Sequence, residues 1–200
     1  MKTTHVPGAA ALALVLLLGA CGQQGDGGNA AAAQANAAAP QQAGTLADAI
    51  NGERNGQFAR ALQAAGLGKT LEGPGPYTVL VPTDQAFAKL PAGALDGLMK
   101  PESKTQLTGM LTYHILPGTM LAADISRAVD AGQGKAMLAT MSGGTITAAR
   151  EGDRLVLTDG RGGKAVVTTP DEQRSNGVIH RVDTVLMPAA GGSETAPPSG

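Results

Sequence analysis

Asn176-Gly177-Val178-Ile179-His180-Arg181-Val182-Asp183-Thr184-Val185-Leu186-Met187-Pro188 reads as a turn followed by a strand. Asn-Gly favours a tight turn in which Gly takes a positive φ at low cost. The run Val178 to Leu186 is rich in β-branched and apolar residues, with His180 set inside it. Working back from this strand, the same period of two recurs in Ala136 to Met141, Thr145 to Arg150, Arg154 to Thr158 and Lys164 to Thr169. Gly143-Gly144, Gly152-Asp153 and Gly160 to Gly163 separate these stretches, so the second half of the chain is predicted to be an antiparallel meander.

Further upstream the period lengthens to that of a helix. Thr45 is placed to cap a helix over Leu46 to Ile50, and Phe58, Ala61, Leu62 and Ala65 share a face before Gly66 stops the run. Gly73-Pro74-Gly75-Pro76 forces a loop, after which Tyr77 to Val81 has strand composition and Pro82 closes it. Thr83 can cap a short helix carrying Ala86, Phe87 and Leu90. Pro101 suits the first turn of a longer helix in which Leu107, Met110, Leu111, His114 and Ile115 share a face, with Pro117-Gly118 ending it. Helices first and a meander later predict an α+β fold rather than a doubly wound parallel sheet.

Composition narrows the function. The 200 residues carry a formal net charge of -1, and the stretch 45–188 holds 14 basic and 14 acidic residues, because Lys2, Asp26 and Glu194 lie outside it. Phosphate backbones gain no net attraction from such a domain, so nucleic acid is not an expected partner. Arg150, Arg154, Arg161 and Lys164 form a local basic group, interleaved with Glu151, Asp153 and Asp159 as solvated hairpin charges. Two Tyr, two Phe and no Trp leave little for stacking platforms or aromatic cages. A single Cys excludes a disulfide framework and multi-Cys metal sites.

The position of that Cys gives the thiol a purpose. Lys2, the apolar run Ala9 to Leu18 and the small residues Gly19-Ala20 lead into Cys21. Ten apolar residues are too few to span the ~30 Å hydrocarbon core. Leu18-Gly19-Ala20-Cys21 resembles the lipobox of bacterial lipoproteins. The resemblance implies a signal peptide over 1–20, acylation of Cys21, and an exported protein held in a membrane. Gly22 in place of Asp points to the outer membrane, facing the periplasm or the cell surface. Residues 21–44 then comprise the lipidated Cys and an Ala/Gly/Gln linker, and 189–200 (AAGGSETAPPSG) has the composition of a disordered tail.

Three segments in order resemble the fasciclin (FAS1) family. Tyr77 to Phe87 is similar to its first signature through Pro82, Thr83, Asp84 and Phe87. Leu107 to Gly118 is similar to its central helix with the pair Tyr113-His114. Asn176 to Pro188 is similar to its closing signature through Asn176, Gly177, His180 and Asp183. Arg181 stands where that pattern usually has an apolar residue, and Arg174 where Ala is common. The resemblance covers 45–188 and implies a wedge-shaped β-sandwich with helices packed on one side, mainly from the N-terminal half. It also implies adhesion or matrix association without a shared catalytic activity.

His114 and His180 are the histidines beyond the signal segment, and with Tyr113 and Asp183 they are the residues to weigh for chemistry. Each His lies in an apolar run, where pairing its ring nitrogens inside the core is the simplest use. A metal site from His114, His180 and Asp183 has suitable ligand types but no local ligand spacing. Ser142 and Ser175 lack a nucleophile-elbow pattern, so no catalytic residue, metal or cofactor is expected. In animal relatives the Tyr-His pair is implicated in receptor adhesion, which makes Tyr113 and His114 candidates for partner binding as well as for core support. The sequence therefore predicts a non-catalytic, lipid-anchored envelope module associating with a protein or polysaccharide. The alternative is a periplasmic module that binds a small apolar ligand in an enclosed pocket.

Overall fold

The computed structural model describes residues 44–52 and 56–189, and the structural statements that follow concern these. Cys21, the signal segment 1–20 and nearly all of the linker and tail lie outside the described residues.

Helix α1 (Leu46–Gly52) begins where predicted. The Asp48 N–H donates to Thr45 Oγ1 at 3.2 Å, and the Thr45 N–H donates to the Asp48 carboxylate at 2.8 Å. This reciprocal cap satisfies two backbone donors of the first turn. Helix α2 (Gly56–Ala65) buries Phe58, Ala61, Leu62 and Ala65, then stops at Gly66, whose φ of +81° suits glycine. After the short α3 (Gly68–Glu72) come strand β1 (Tyr77–Pro82) and α4 (Asp84–Ala88). Thr83 caps α4, its side-chain oxygen accepting the Ala86 N–H at 3.3 Å. Helix α5 (Ala94–Leu98) leads through a 3₁₀ turn at Pro101–Ser103 into α6 (Lys104–Tyr113).

One helix ends earlier than its apolar pattern indicated. Ile115 and Leu116 do not continue α6 but start strand β2 (Ile115–Pro117), which pairs antiparallel with β1 through Val79 and Ile115. Both residues are buried, on opposite faces of the strand and in different cores. A short apolar run serves either structure, and here the free edge of β1 claims it. Helix α7 (Ala122–Ala131) was not anticipated, because it buries only Ile125 and Val129, a single i, i+4 pair.

Strands β3 (Lys135–Ala139), β4 (Thr145–Glu151), β5 (Arg154–Thr158), β6 (Lys164–Arg174) and β7 (Gly177–Val182) form the predicted meander. The hydrogen-bonded order is β2-β1-β7-β6-β5-β4-β3, antiparallel throughout except for the parallel pair β1 and β7. The last strand stops at Val182, short of Leu186, because the chain turns at Asp183. Strand β6 is longer than expected. Lys164 to Val166 pair with β5 and Val167 to Arg174 with β7, with register shifts on either side of Thr169. Pro170 and Asp171, the latter at φ +61°, lie within that irregular stretch, so the seven-stranded sheet is continuous through β6 but irregular where its pairing passes from β5 to β7. At the far ends of the order, the Met141 N–H donates to the Ile115 carbonyl at 2.8 Å and links the end of β3 to β2.

Alternation along the central strands creates two cores. Val79 and Val81 of β1 and Ile179 of β7 face α1, α2, α4 and α6, packing with Phe58, Phe87 and Leu111. Leu80 and Val182 face the other way, meeting Leu138, Ile146, Leu157 and the α7 residues Ile125 and Val129. The architecture is α+β, with most helices in the N-terminal half.

Candidate functional site

The two histidines lie against the central strands with no exposed surface. His114 follows the last residue of α6. Its Nδ1–H donates to the Met110 carbonyl at 2.8 Å, and Nε2 accepts the Leu186 N–H at 3.0 Å. This fixes a neutral tautomer that ties the end of α6 to the segment after β7. Phe58 packs against the ring with centroids 6.0 Å apart. Burial disfavours the imidazolium and pushes the pKa down to about 4, against smaller opposing effects from the Met110 bond and the charge of Asp159.

His180, on β7, uses the opposite tautomer. Its Nε2–H donates to the Met120 carbonyl at 2.8 Å, and Nδ1 accepts the Asp171 N–H at 3.2 Å. Burial lowers its pKa too, partly opposed by the Met120 bond and by Asp171 and Glu172. All four ring nitrogens are thus engaged by backbone. Among the described residues, no group of three or more His, Cys, Asp or Glu is arranged to hold a metal ion.

Tyr113 is 1% exposed, and His114 is fully buried, so neither presents its side chain to a partner in this conformation. The Tyr113 hydroxyl donates to the Thr145 carbonyl at 2.7 Å and accepts the Gly160 N–H at 2.9 Å, joining α6 to β4 and to the β5–β6 turn. Burial raises its pKa, offset in part by the Gly160 bond.

Asp183 accepts from the Val166 N–H at 2.7 Å, the Thr184 hydroxyl at 3.0 Å and the Lys89 ammonium at 3.2 Å. Its partial burial alone raises the pKa; these donors outweigh that, and the carboxyl sits below its ordinary value. Asp84 accepts the Gln57 N–H at 3.3 Å at the start of α2, while Phe87 fills the helical core and Pro82 ends β1 against Val182.

Asn176 does more than turn the chain. Its Oδ1 accepts the Leu46 N–H at 2.8 Å, and its amide donates to the carbonyls of Leu71 at 2.8 Å and Gly73 at 2.9 Å. One side chain joins the start of α1 to the end of α3, a role that a turn signal does not reveal. Gly177 corrects the sequence reading, since its φ is not positive. Space requires the glycine: a Cβ there would sit 2.0 Å from the Tyr77 carbonyl oxygen. Gly75 faces the same crowding, 1.9 Å from the Asn176 oxygen. Both glycines lie where the parallel pairing of β1 and β7 begins, at positions with no room for a Cβ.

Sequence reasoning missed two carboxylates. Glu172 accepts from the Arg181 guanidinium through both oxygens and lies 3.8 Å from Arg174, so both arginines that depart from the family pattern converge on one acid. Asp159 accepts the N–H groups of Arg161, Gly163 and Met187 at 2.7 to 2.9 Å, and Asp159-Gly160 was the available turn signal.

Open clefts of about 350 Å³ beside Asn176 and Arg174, about 320 Å³ beside Asp84 and Asp96, and about 400 Å³ beside Arg150 and Arg154 face solvent. None is the enclosed apolar pocket that a small apolar ligand would need. Met137 and Met141 are 75% and 43% exposed, the large hydrophobic side chains left uncovered among the described residues. Met137 faces outward from β3 next to Thr147, and Thr147 next to Thr158 of β5. Met110 is buried, and Met99, Met120 and Met187 pack against the cores, so the methionines divide between interior filling and this outer face.

The paired strand order and the two cores define an α+β module, with both histidines and Tyr113 hydrogen-bonded inside it. The fasciclin domain profile matches residues 54–188. The chain is 36% identical over 152 residues to Protein sll1483 of Synechocystis sp., covering 76% of this chain and 77% of that one. It is 34% identical over 146 residues to the immunogenic protein MPB70 of Mycobacterium bovis, covering 73% and 63%. To the transforming growth factor-beta-induced protein ig-h3 of Sus scrofa it is 37% identical over 129 residues, covering 64% of this chain and 17% of that one. A solved FAS1 domain pair from the insect cell adhesion molecule fasciclin I shares the fold, with a TM-score of 0.52 at 18% identity. That alignment covers 68% of this chain and about half, 46%, of the solved one. The chain belongs to the fasciclin family.

Proposed function

We propose that this fasciclin module acts by non-catalytic association with a protein or polysaccharide of the cell envelope or its exterior. In this reading acylated Cys21 holds it to a membrane, and the linker gives it reach. The observation that carries the proposal is the division of labour between side chains. The histidines and Tyr113 are consumed by internal hydrogen bonds, whereas Met137 stands exposed on the outer face of β3 and Met141 in the turn that follows it. Flexible, polarizable methionines suit an adaptable contact. Anchoring raises the effective concentration of a weak binding face near its partner. A photo-crosslinking residue at position 137 of the full chain, in its native cells, is expected to yield a discrete adduct. Adducts absent from this and every other exposed strand position would refute the association reading. Cys21→Ser is expected to release the protein from the membrane fraction, and continued fractionation with membranes would refute the anchor.

A further inference from the structure

We infer that the cleft between the start of α7 and the β4–β5 hairpin binds the carboxylate-bearing sugar of an acidic polysaccharide, an inference that rests on the association reading above. The cleft measures about 400 Å³, room for a sugar unit and its neighbour. Arg150 and Arg154 stand on its rim from β4 and β5. Arg150 reaches Asp130 at only 3.4 Å, with both side chains about half exposed or more, a contact that an incoming anion can displace. No described residue forms an ion pair with Arg154, which exerts only a longer-range attraction on Glu151. Planar guanidinium groups match a carboxylate through paired hydrogen bonds.

The remaining lining selects a sugar over other anions. Exposed Pro170 and half-buried Val167 offer an apolar edge to the C–H face of a pyranose ring, with Leu155 buried at the base of the cleft. Ser126 and Thr168 offer hydroxyls, and the Asp153 carboxylate accepts hydrogen bonds from sugar hydroxyl groups. That same carboxylate opposes a dianionic phosphate. A fatty acid would have hydroxyls and a carboxylate beside its chain with nothing to satisfy them. The other two clefts differ in charge: one is bordered by Asp84 and Asp96, and the other by Arg174, which lies 3.8 Å from Glu172. The wall is held in place by Asp171, whose carboxylate accepts the Ala122 N–H at 2.7 Å and fixes the first turn of α7 beside β6.

Titrating the full chain with oligogalacturonate and following amide resonances tests the inference. Shifts are expected at Ser126, Leu155 and Thr168, with a carboxyl-reduced oligosaccharide of the same length binding far more weakly. Arg154→Gln is expected to lower affinity about tenfold, the loss of one charge-assisted contact. Its melting temperature should not move, because Arg154 is exposed. Equal binding of the neutral oligosaccharide, an unaltered affinity in Arg154→Gln, or no shifts at the cleft would overturn the inference. Stronger shifts of the same amides with phosphatidylglycerol vesicles would replace the sugar by an anionic amphiphile. A blank titration with the position-137 adduct intact removes the polysaccharide and leaves the association reading standing.

Discussion

Acidification should destabilise this fold through one histidine. His114 is completely buried and neutral, with Nδ1–H on the Met110 carbonyl and Nε2 facing the Leu186 N–H. Adding a proton sets two donors against each other at Leu186 and places an unpaired charge in the core. The folded-state pKa of about 4 lies below the ordinary 6.5 of the unfolded chain. Stability from the neutral ring is therefore complete above pH 6.5, falls as pH drops, and is exhausted below about 4. At about 1.4 kcal/mol per pH unit, the span from 6.5 to about 4 amounts to roughly 3 kcal/mol. Urea midpoints measured from pH 7.5 to 3.5 for the wild type and His114→Gln read this directly. Gln keeps one donor and one acceptor but does not titrate, so the difference between the curves isolates His114 from His180 and the carboxylates. The curves are expected to converge by roughly 3 kcal/mol as pH falls. Parallel curves, or a ring carbon resonance showing an imidazolium at pH 5.5 in folded wild type, would mean that His114 is not held neutral by burial; the resonance remains readable if the variant does not fold.

Asn176→Ala orphans the Leu46 N–H and the Leu71 and Gly73 carbonyls, and a loss of about 3 kcal/mol is expected in chemical denaturation. Gly177→Ala should be worse than Gly66→Ala despite the positive φ of Gly66, because only the former drives a Cβ into backbone; comparing melting temperatures checks this order. Tyr113→Phe removes the hydroxyl between Thr145 and Gly160, with an expected cost of about 1 to 3 kcal/mol and faster amide exchange at Gly160.

Local grammar was legible where sequence and structure share one determinant. The Thr45 and Thr83 caps, the Gly66 stop and the strands either side of Gly152-Asp153 needed only nearby residues. Other features depended on partners distant in sequence. The end of α6 was set by the open edge of β1, and α7 by a sheet that covers its two apolar side chains. The role of Asn176 was hidden because its three partners lie more than a hundred residues away. Gly177 was identified as a necessary glycine for the wrong reason, since crowding against Tyr77 exists only once β1 and β7 align in parallel. At the candidate site, motif matching found the residues that stitch the fold. Met137 carries no motif and is distinguished only by being uncovered on the outer face of β3.

In the proposed division of labour, internal polar residues build the module and an outer surface engages its partner. Partner capture after crosslinking in intact cells tests it, comparing wild type, the double variant Met137→Glu with Met141→Glu, and His114→Gln, each with its melting temperature. The double variant is expected to melt like wild type and lose the partner, whereas His114→Gln melts lower and, at a temperature where it is folded, keeps it. Retention by the double variant together with loss in an equally stable His114→Gln would instead place the binding site at the buried histidine.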